Sequence, residues 1–178
     1  MEIKYSINEI SSVNDRLIEE FSCGNMVIDN CLKKARVSAG ATLVVIDEIA
    51  GHIVAFCTYT TSGLSKMVSD YVNNKCIKYR VTYPAAEIKY FAVDEKYQHM
   101  SYDNEDDNYK ISDHFLCEII RRLSVISDKI IYFEYVILYS VPDAVSFYKR
   151  NNFEEFTEYM EHDAHYHIEN CTPMFLAL

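Results

Sequence analysis

The chain has 178 residues, 49% hydrophobic and 25% charged, with only 4 Gly and 3 Pro, which fits a single globular domain over residues 1–178 and excludes low-complexity or linker-dominated architectures. Its formal net charge of −10 opposes non-specific attraction to phosphate backbones. The balance favours cationic small molecules or basic peptides as partners over nucleic acid, although a local basic patch can sit on an acidic protein.

The amino terminus, Met1-Glu2-Ile3-Lys4-Tyr5, has no apolar leader, and no run approaches the roughly 20 apolar residues of a spanning helix, so a cytoplasmic protein with no membrane partner is expected. Residues 2–8 alternate and read as a first strand. Val13 to Phe21 is a short helix with Leu17, Ile18 and Phe21 on one face, capped by Ser12 or Asn14. Phe21-Ser22-Cys23-Gly24-Asn25 interrupts the period, and Met26 to Arg36 resumes it with Ile28, Cys31, Leu32 and Ala35. Thr42 to Asp47 and His52 to Thr61 form a hairpin across Glu48-Ile49-Ala50-Gly51. In Ser62 to Tyr79, the spacing of Leu64, Met67, Val68, Tyr71 and Val72 predicts a short helix that ends at Asn73-Asn74, followed by an irregular stretch.

Ala86-Glu87-Ile88-Lys89-Tyr90-Phe91-Ala92-Val93-Asp94 reads as a strand, and the helix from Ile111 carries Phe115, Leu116, Ile119, Ile120, Leu123 and Ile126 on one face. A strand leading into a helix start aims backbone N–H groups at an anion. Between them lies an acidic segment, His99 to Tyr109, with Asp103, Glu105, Asp106 and Asp107; it reads as a solvated loop or, more sharply, as a lip attracting a cationic acceptor. Ile130 to Leu138 is a nearly continuous apolar run, the pattern of a strand covered on both faces and parallel to the first across a helical crossover. Pro142 opens a helix that runs to Arg150, Asn151-Asn152 accepts a left-handed cap, and Phe153 to Phe156 and Thr172 to Leu178 are further strands. His162, His165 and His167 have metal-binding side-chain types without the spacing of a zinc helix, which favours a polar loop and no metal. The six cysteines include no C-x-x-C pair and suggest buried thiols rather than disulfides or zinc.

Two segments, Ala86 to Gln98 and Asp143-Ala144-Val145-Ser146-Phe147-Tyr148-Lys149-Arg150-Asn151-Asn152-Phe153, resemble the GCN5-related N-acetyltransferase (GNAT) family. The second is similar to its A-x-x-F-Y-x-x-x-G-F signature, with Asn152 in place of glycine. Phe21 to Leu32 resembles the start of a subgroup that includes acetyltransferase toxins. The resemblance implies the α/β GNAT acyl-CoA N-acyltransferase fold, a mixed twisted sheet with helices on both faces. It implies acetyl-CoA as co-substrate and acetyl transfer to a primary amine of a small cationic molecule or peptide. Glu87 aligns with the family's general base; the competing reading is a solvent-facing residue of an alternating strand. Tyr148 aligns with the tyrosine acid, against a core aromatic, with Tyr139 as a spare candidate. Backbone at Phe91, Ala92 and Val93 would serve the thioester oxygen and the pantetheine arm.

The family's Q/R-x-x-G-x-G/A pyrophosphate loop is departed from. Gln98 keeps the first position and no glycine follows; the alignment that costs least treats residues 99–109 as an insertion, with Lys110-Ile111-Ser112 in place of G-x-G. Asp113, in the first helical turn, competes with a phosphate for the positive end of the helix dipole. Cys57 or Cys117 as a nucleophile is a competing mechanism with no activating base in sequence. Two other readings stay open: a GNAT-fold protein that binds a partner without catalysis, and a toxin that acetylates aminoacyl-tRNA, against which the net charge weighs. A homodimer is compatible with the sequence.

Overall fold

Residues 4–38, 40–72, 75–102, 109–156 and 170–178 are described in the computed structural model. The elements run β1 (Tyr5–Glu9), α1 (Asp15–Glu20), α2 (Met26–Lys34), β2 (Ala41–Asp47), β3 (His52–Val72), β4 (Lys75–Val93), α3 (Ile111–Lys129), β5 (Tyr135–Ser140), α4 (Val145–Arg150), β6 (Glu154–Glu155) and β7 (Thr172–Ala177). The strands make a mixed seven-stranded sheet in the hydrogen-bonded order β1-β2-β3-β4-β5-β7-β6. Two compact units divide the chain: Met1–Thr60 with Ile88–Arg122, and Thr61–Glu87 with Leu123–Leu178.

In the first unit, the helices start where asparagine side chains can take their unpaired N–H groups. Asn14 accepts from Arg16 at 2.9 Å, and Asn25 accepts from Val27 at 3.0 Å. α1 is shorter than its hydrophobic period because Ile10–Ser12 is a 3-10 turn and Phe21 is already extended. The guanidinium of Arg36 ties this region together, donating to the Asp15 carboxylate and to the carbonyls of Ile10 and Val13. β2 pairs antiparallel with β1 and β3, with a bulge at Val45/Ile46. Consecutive residues of these strands divide between two apolar clusters, as strand alternation requires. Val44, Phe56 and Ala92 join Ile18, Phe21 and Leu32 in one cluster, while Val45, Ala55 and Val93 join Tyr97, Ile111 and Phe115 in the other.

The second unit corrects two sequence expectations. The helix expected within Ser62 to Tyr79 does not form, and the irregular stretch expected after it is also strand: residues 61–72 continue β3, and β4 begins at Lys75. The same apolar spacing satisfies a strand once a partner supplies hydrogen bonds. The side chains of Ser65 and Thr82 meet at 2.7 Å, the Lys66 ammonium lies over the Tyr83 ring, and Gly63 leaves the room that Thr82 needs. At the base of this ribbon Leu64 and Ala85 pack with Ile137 and Phe156.

The second correction concerns β5, which starts at Tyr135 rather than Ile130. α3 runs on to Lys129, and the N–H groups of Ile130 and Ile131 both donate to the Ile126 carbonyl. The Ser127 hydroxyl then donates to the Phe133 carbonyl at 2.6 Å and accepts the Phe133 N–H at 3.1 Å, which closes the connection. Within β5, Val136, Ile137 and Leu138 are all buried, as a strand covered on both faces demands. β7 pairs antiparallel with β5 and β6. Pro142–Ala144 is a 3-10 turn ahead of α4, so that helix is shorter than its sequence suggests. Asn152 takes φ +67°, the left-handed cap expected where the family carries glycine. The expectations for Asp103, Glu105, Asp106 and Asp107, and for His162, His165 and His167, fall outside the described residues.

Candidate functional site

The cofactor-side candidates lie in the first unit. Phe91, Ala92 and Val93 close β4, and the chain leaves it through a turn built on the buried carboxylate of Asp94. Its two oxygens accept from the N–H groups of Ser22 at 3.2 Å and Lys96 at 3.0 Å, while the Asp94 N–H donates to Val54 at 2.9 Å. The Phe21–Asn25 break is fastened to this turn. Glu95 N–H donates to the Ser22 carbonyl at 2.9 Å, and Gln98 Nε2 donates to the carbonyls of Cys23 at 2.9 Å and Val93 at 3.0 Å. Gln98 therefore holds the turn through its carboxamide. Gly24 has φ +82°, so the backbone calls for glycine, while the Glu95 carboxylate, 3.0 Å from where a Cβ would sit, is the movable end of an exposed side chain. Behind the turn the Tyr97 hydroxyl donates to the buried Asp47 carboxylate at 3.2 Å; burial and then that charge push Tyr97 up to about 12.

The acidic insertion is closed at its base. Tyr102 N–H donates to Tyr109 at 2.9 Å, and Ser101 bridges antiparallel to Lys110. At the start of α3, Ile111 N–H donates to the Met100 carbonyl at 3.0 Å, and Lys110 N–H donates to Asp113 Oδ2 at 3.1 Å. Asp113 is 4% exposed, so it is turned in against the helix start rather than outward. The Lys110 ammonium donates to Ser101 Oγ at 3.2 Å, Ile111 is buried in the core, and Ser112 is half-buried.

This donor set fits an anion. A buried carboxylate already occupies the helix start and takes the Lys110 N–H, while the N–H groups of Ile111, Asp113 and His114 go to main-chain carbonyls, and the lysine adds a full positive charge. A pyrophosphate bound there by backbone must displace the Asp113 carboxylate.

One residue that sequence reasoning left outside the site is His114. Its ring stacks on Tyr102 at 3.6 Å and its Nε2 lies 3.0 Å from the Tyr5 hydroxyl; burial lowers its pKa. The aromatic run Tyr102, Tyr109 and His114 around the insertion was the available signal. Asp94 and Ser22 were missed as well, although the glycine break at Phe21–Asn25 marked their location.

The acid–base candidates lie in the second unit. Glu87 is half-buried on β4, just past the point where Ala85 and Ala86 are both buried and simple alternation stops. Tyr148 is 8% exposed on α4, edge-on to the Phe147 ring at 4.9 Å and the Phe153 ring at 5.6 Å. Tyr139 is half-buried on β5. Cys57 is fully buried, and desolvation pushes its thiol far up, which disfavours the nucleophilic thiolate; Cys117 is exposed on α3.

No family model and no curated protein matches the sequence. Solved structures do. A bacterial toxin is similar over 98% of this chain and 91% of its own, with TM-score 0.73 and 23% identity. AtaT complexed with acetyl-methionyl-tRNAfMet is similar over 98% and 95%, with TM-score 0.66 and 14% identity, and AtaTR bound with acetyl-CoA over 97% and 93%, with TM-score 0.63 and 13% identity.

The chain has the GNAT fold. This GNAT-fold chain and those structures share it from end to end, which bears out the fold that the resemblance implied. Among the described residues no helix is long and apolar enough to cross a membrane. The expectation of a small cationic acceptor finds no support in these neighbours; one of them is held with an acetylated aminoacyl-tRNA.

Proposed function

We propose that the chain is an acetyl-CoA-dependent N-acetyltransferase and that its acceptor is the α-amino group of an aminoacyl-tRNA. The observation that carries this reading is end-to-end fold likeness to AtaT held with an acetylated aminoacyl-tRNA. Acetyl-CoA supplies the activated acetyl group as a thioester. Backbone at Phe91, Ala92 and Val93 would hold its arm, and the Lys110 N–H and ammonium, with Ser112 beside them, its phosphates once Asp113 yields, the Ile111 N–H staying with Met100. Gln98 and Asp94 fasten that strand end to the Ser22–Cys23 break through the hydrogen bonds described above.

An aminoacyl ammonium must lose a proton before it can attack. Glu87 is assigned that proton, taken through water, and Tyr148 is assigned the proton given to the departing sulfur. Half-burial suits the first role, since a carboxylate needs solvent to pass the proton on. The second asks the Tyr148 hydroxyl to face the reacting group while its ring stays packed on Phe147 and Phe153.

A second reading, binding without catalysis, is favoured by the Asp113 carboxylate already seated at the helix start. Calorimetric titration with acetyl-CoA separates the two. Binding, with acetylation of charged tRNA and none of a polyamine panel, is expected. Absent binding overturns the enzyme reading, and acetylation of polyamines alone overturns the acceptor. Glu87→Gln is expected to lower kcat roughly 10²- to 10³-fold with acetyl-CoA affinity unchanged.

A further inference from the structure

The outer halves of β3 and β4 form a two-stranded ribbon whose charge is opposite to that of the chain. Between Ser62 and Ala86 the sequence carries Lys66, Lys75, Lys78 and Arg80 against the single carboxylate Asp70, in a protein of net charge −10. Residues 75–80 are all exposed.

Alternation sorts these side chains by face. Because Ser65 and Thr82 touch across the strands at 2.7 Å, they fix one common face. Met67 and Tyr71 follow Ser65 along β3, and Arg80 and Lys78 precede Thr82 along β4. The opposite face is the one that leads down to buried Leu64 and Ala85. Asp70 belongs to that opposite face, and its carboxylate accepts the N–H of Tyr71 at 2.8 Å. The outward face thus presents two cations, the hydroxyls of Ser65, Ser69 and Thr82 and an aromatic ring 75% exposed, with no carboxylate.

We infer that this face docks RNA, taking phosphates on Lys78, Arg80, Ser65 and Thr82 and an unpaired base on Tyr71. Arg, Lys and hydroxyl side chains are the usual phosphate contacts. Exposed aromatic rings stack on bases of any sequence, which suits an acceptor recognised as a class. An acidic protein that must hold a polyanion concentrates its cations in one place, and the ribbon does so. The inference rests on the proposed acceptor and names the surface that would recruit it.

The test uses the full chain and bulk tRNA, deacylated for binding and charged for turnover. Lys78→Glu with Arg80→Glu is expected to weaken tRNA binding at least tenfold and to reduce the salt slope by about 1 to 2. The exposed pair Lys34→Glu with Lys129→Glu, which changes net charge equally, is expected to leave binding within about twofold. Tyr71→Ala is expected to lower affinity about tenfold. Acetyl-CoA affinity and the melting curve should not move in any of them. Retained tRNA affinity in the ribbon pair, or an equal loss in the control pair, overturns the inference. So does competition by poly-glutamate or duplex DNA as effective as that of tRNA, which would assign the ribbon to an acidic protein or to DNA. If the ribbon pair loses tRNA binding while the wild type binds tRNA but does not acetylate it, the surface stands and the proposed reaction falls.

Discussion

The two halves of the long strands β3 and β4 obey different physics. Toward their inner ends, Phe56 on β3 and Ala92 and Val93 on β4 are buried in apolar clusters, and side-chain volume decides what is tolerated. Toward the outer ends, Tyr71, Ile77 and Tyr79 stand in solvent among lysines, where side-chain volume decides little. One continuous element therefore combines a buried base and a solvent-exposed end, and burial, rather than strand identity, tells them apart.

That contrast can be broken most sharply by substitution at its two ends. Phe56→Ala removes a ring that is fully buried and edge-on to Phe21, and should cost about 3–5 kcal/mol in urea unfolding. Tyr71→Ala on the same strand should cost about 0.5 kcal/mol or less. Comparable losses at both positions would mean that the outer ribbon is covered by something in solution.

Asp113→Asn tests whether the helix start is an anion site. It should cost about 1 kcal/mol of stability through the weakened contact with Lys110 N–H, yet tighten acetyl-CoA binding several-fold by calorimetry. Affinity that is unchanged or weaker would show that Asp113 does not compete for the phosphates.

At Asn152, held at φ +67°, alanine should cost about 1 kcal/mol in thermal unfolding, and glycine should be neutral or slightly stabilising. The reverse order would refute the left-handed cap as the reason for asparagine in a position where the family has glycine.

The smallest effect concerns pH. Burial depresses His114 from its ordinary 6.5, so the unfolded chain binds this proton more readily than the folded one. Its contribution is whole above the ordinary imidazole range and is lost as pH falls from there toward the folded value. The groups facing the ring are the Tyr5 hydroxyl, the rings of Tyr102 and Tyr109, and Glu118, whose charge opposes the shift. His114→Gln should flatten the drop in unfolding free energy between about pH 7 and pH 5. An unaltered drop would assign it to other groups.

The sequence exposed those parts of the molecule where one period dominates. Phe115, Leu116, Ile119 and Leu123 announced α3, and the post-turn asparagines announced α4's cap, because local pattern and tertiary burial agree there. Residues 62–79 misled because Leu64, Met67, Val68, Tyr71 and Val72 satisfy a helical count, while the deciding partner, β4, is supplied by tertiary structure. Ile130 to Tyr132 misled in the other way: an apolar run suggested burial, yet Ile130 is 78% exposed and the strand begins later. At the candidate site, backbone positions such as Phe91 and Val93 are proposed only through family resemblance, since their side chains say little about N–H groups. The inward turn of Asp113 was not legible at all, because it depends on a hydrogen bond to a neighbour's main chain.

The Ser127 hydroxyl, bonded both ways to Phe133, holds Ile130, Ile131 and Tyr132 in solvent. A short β-prone apolar segment in that position is a natural seed for self-association in concentrated solution. Mutual repulsion between copies of charge −10 then acts as the colloidal safeguard, and acidification that neutralises the carboxylates removes it. The acid excess that looked like a statement about partners also sets how strongly copies of the chain repel one another in solution.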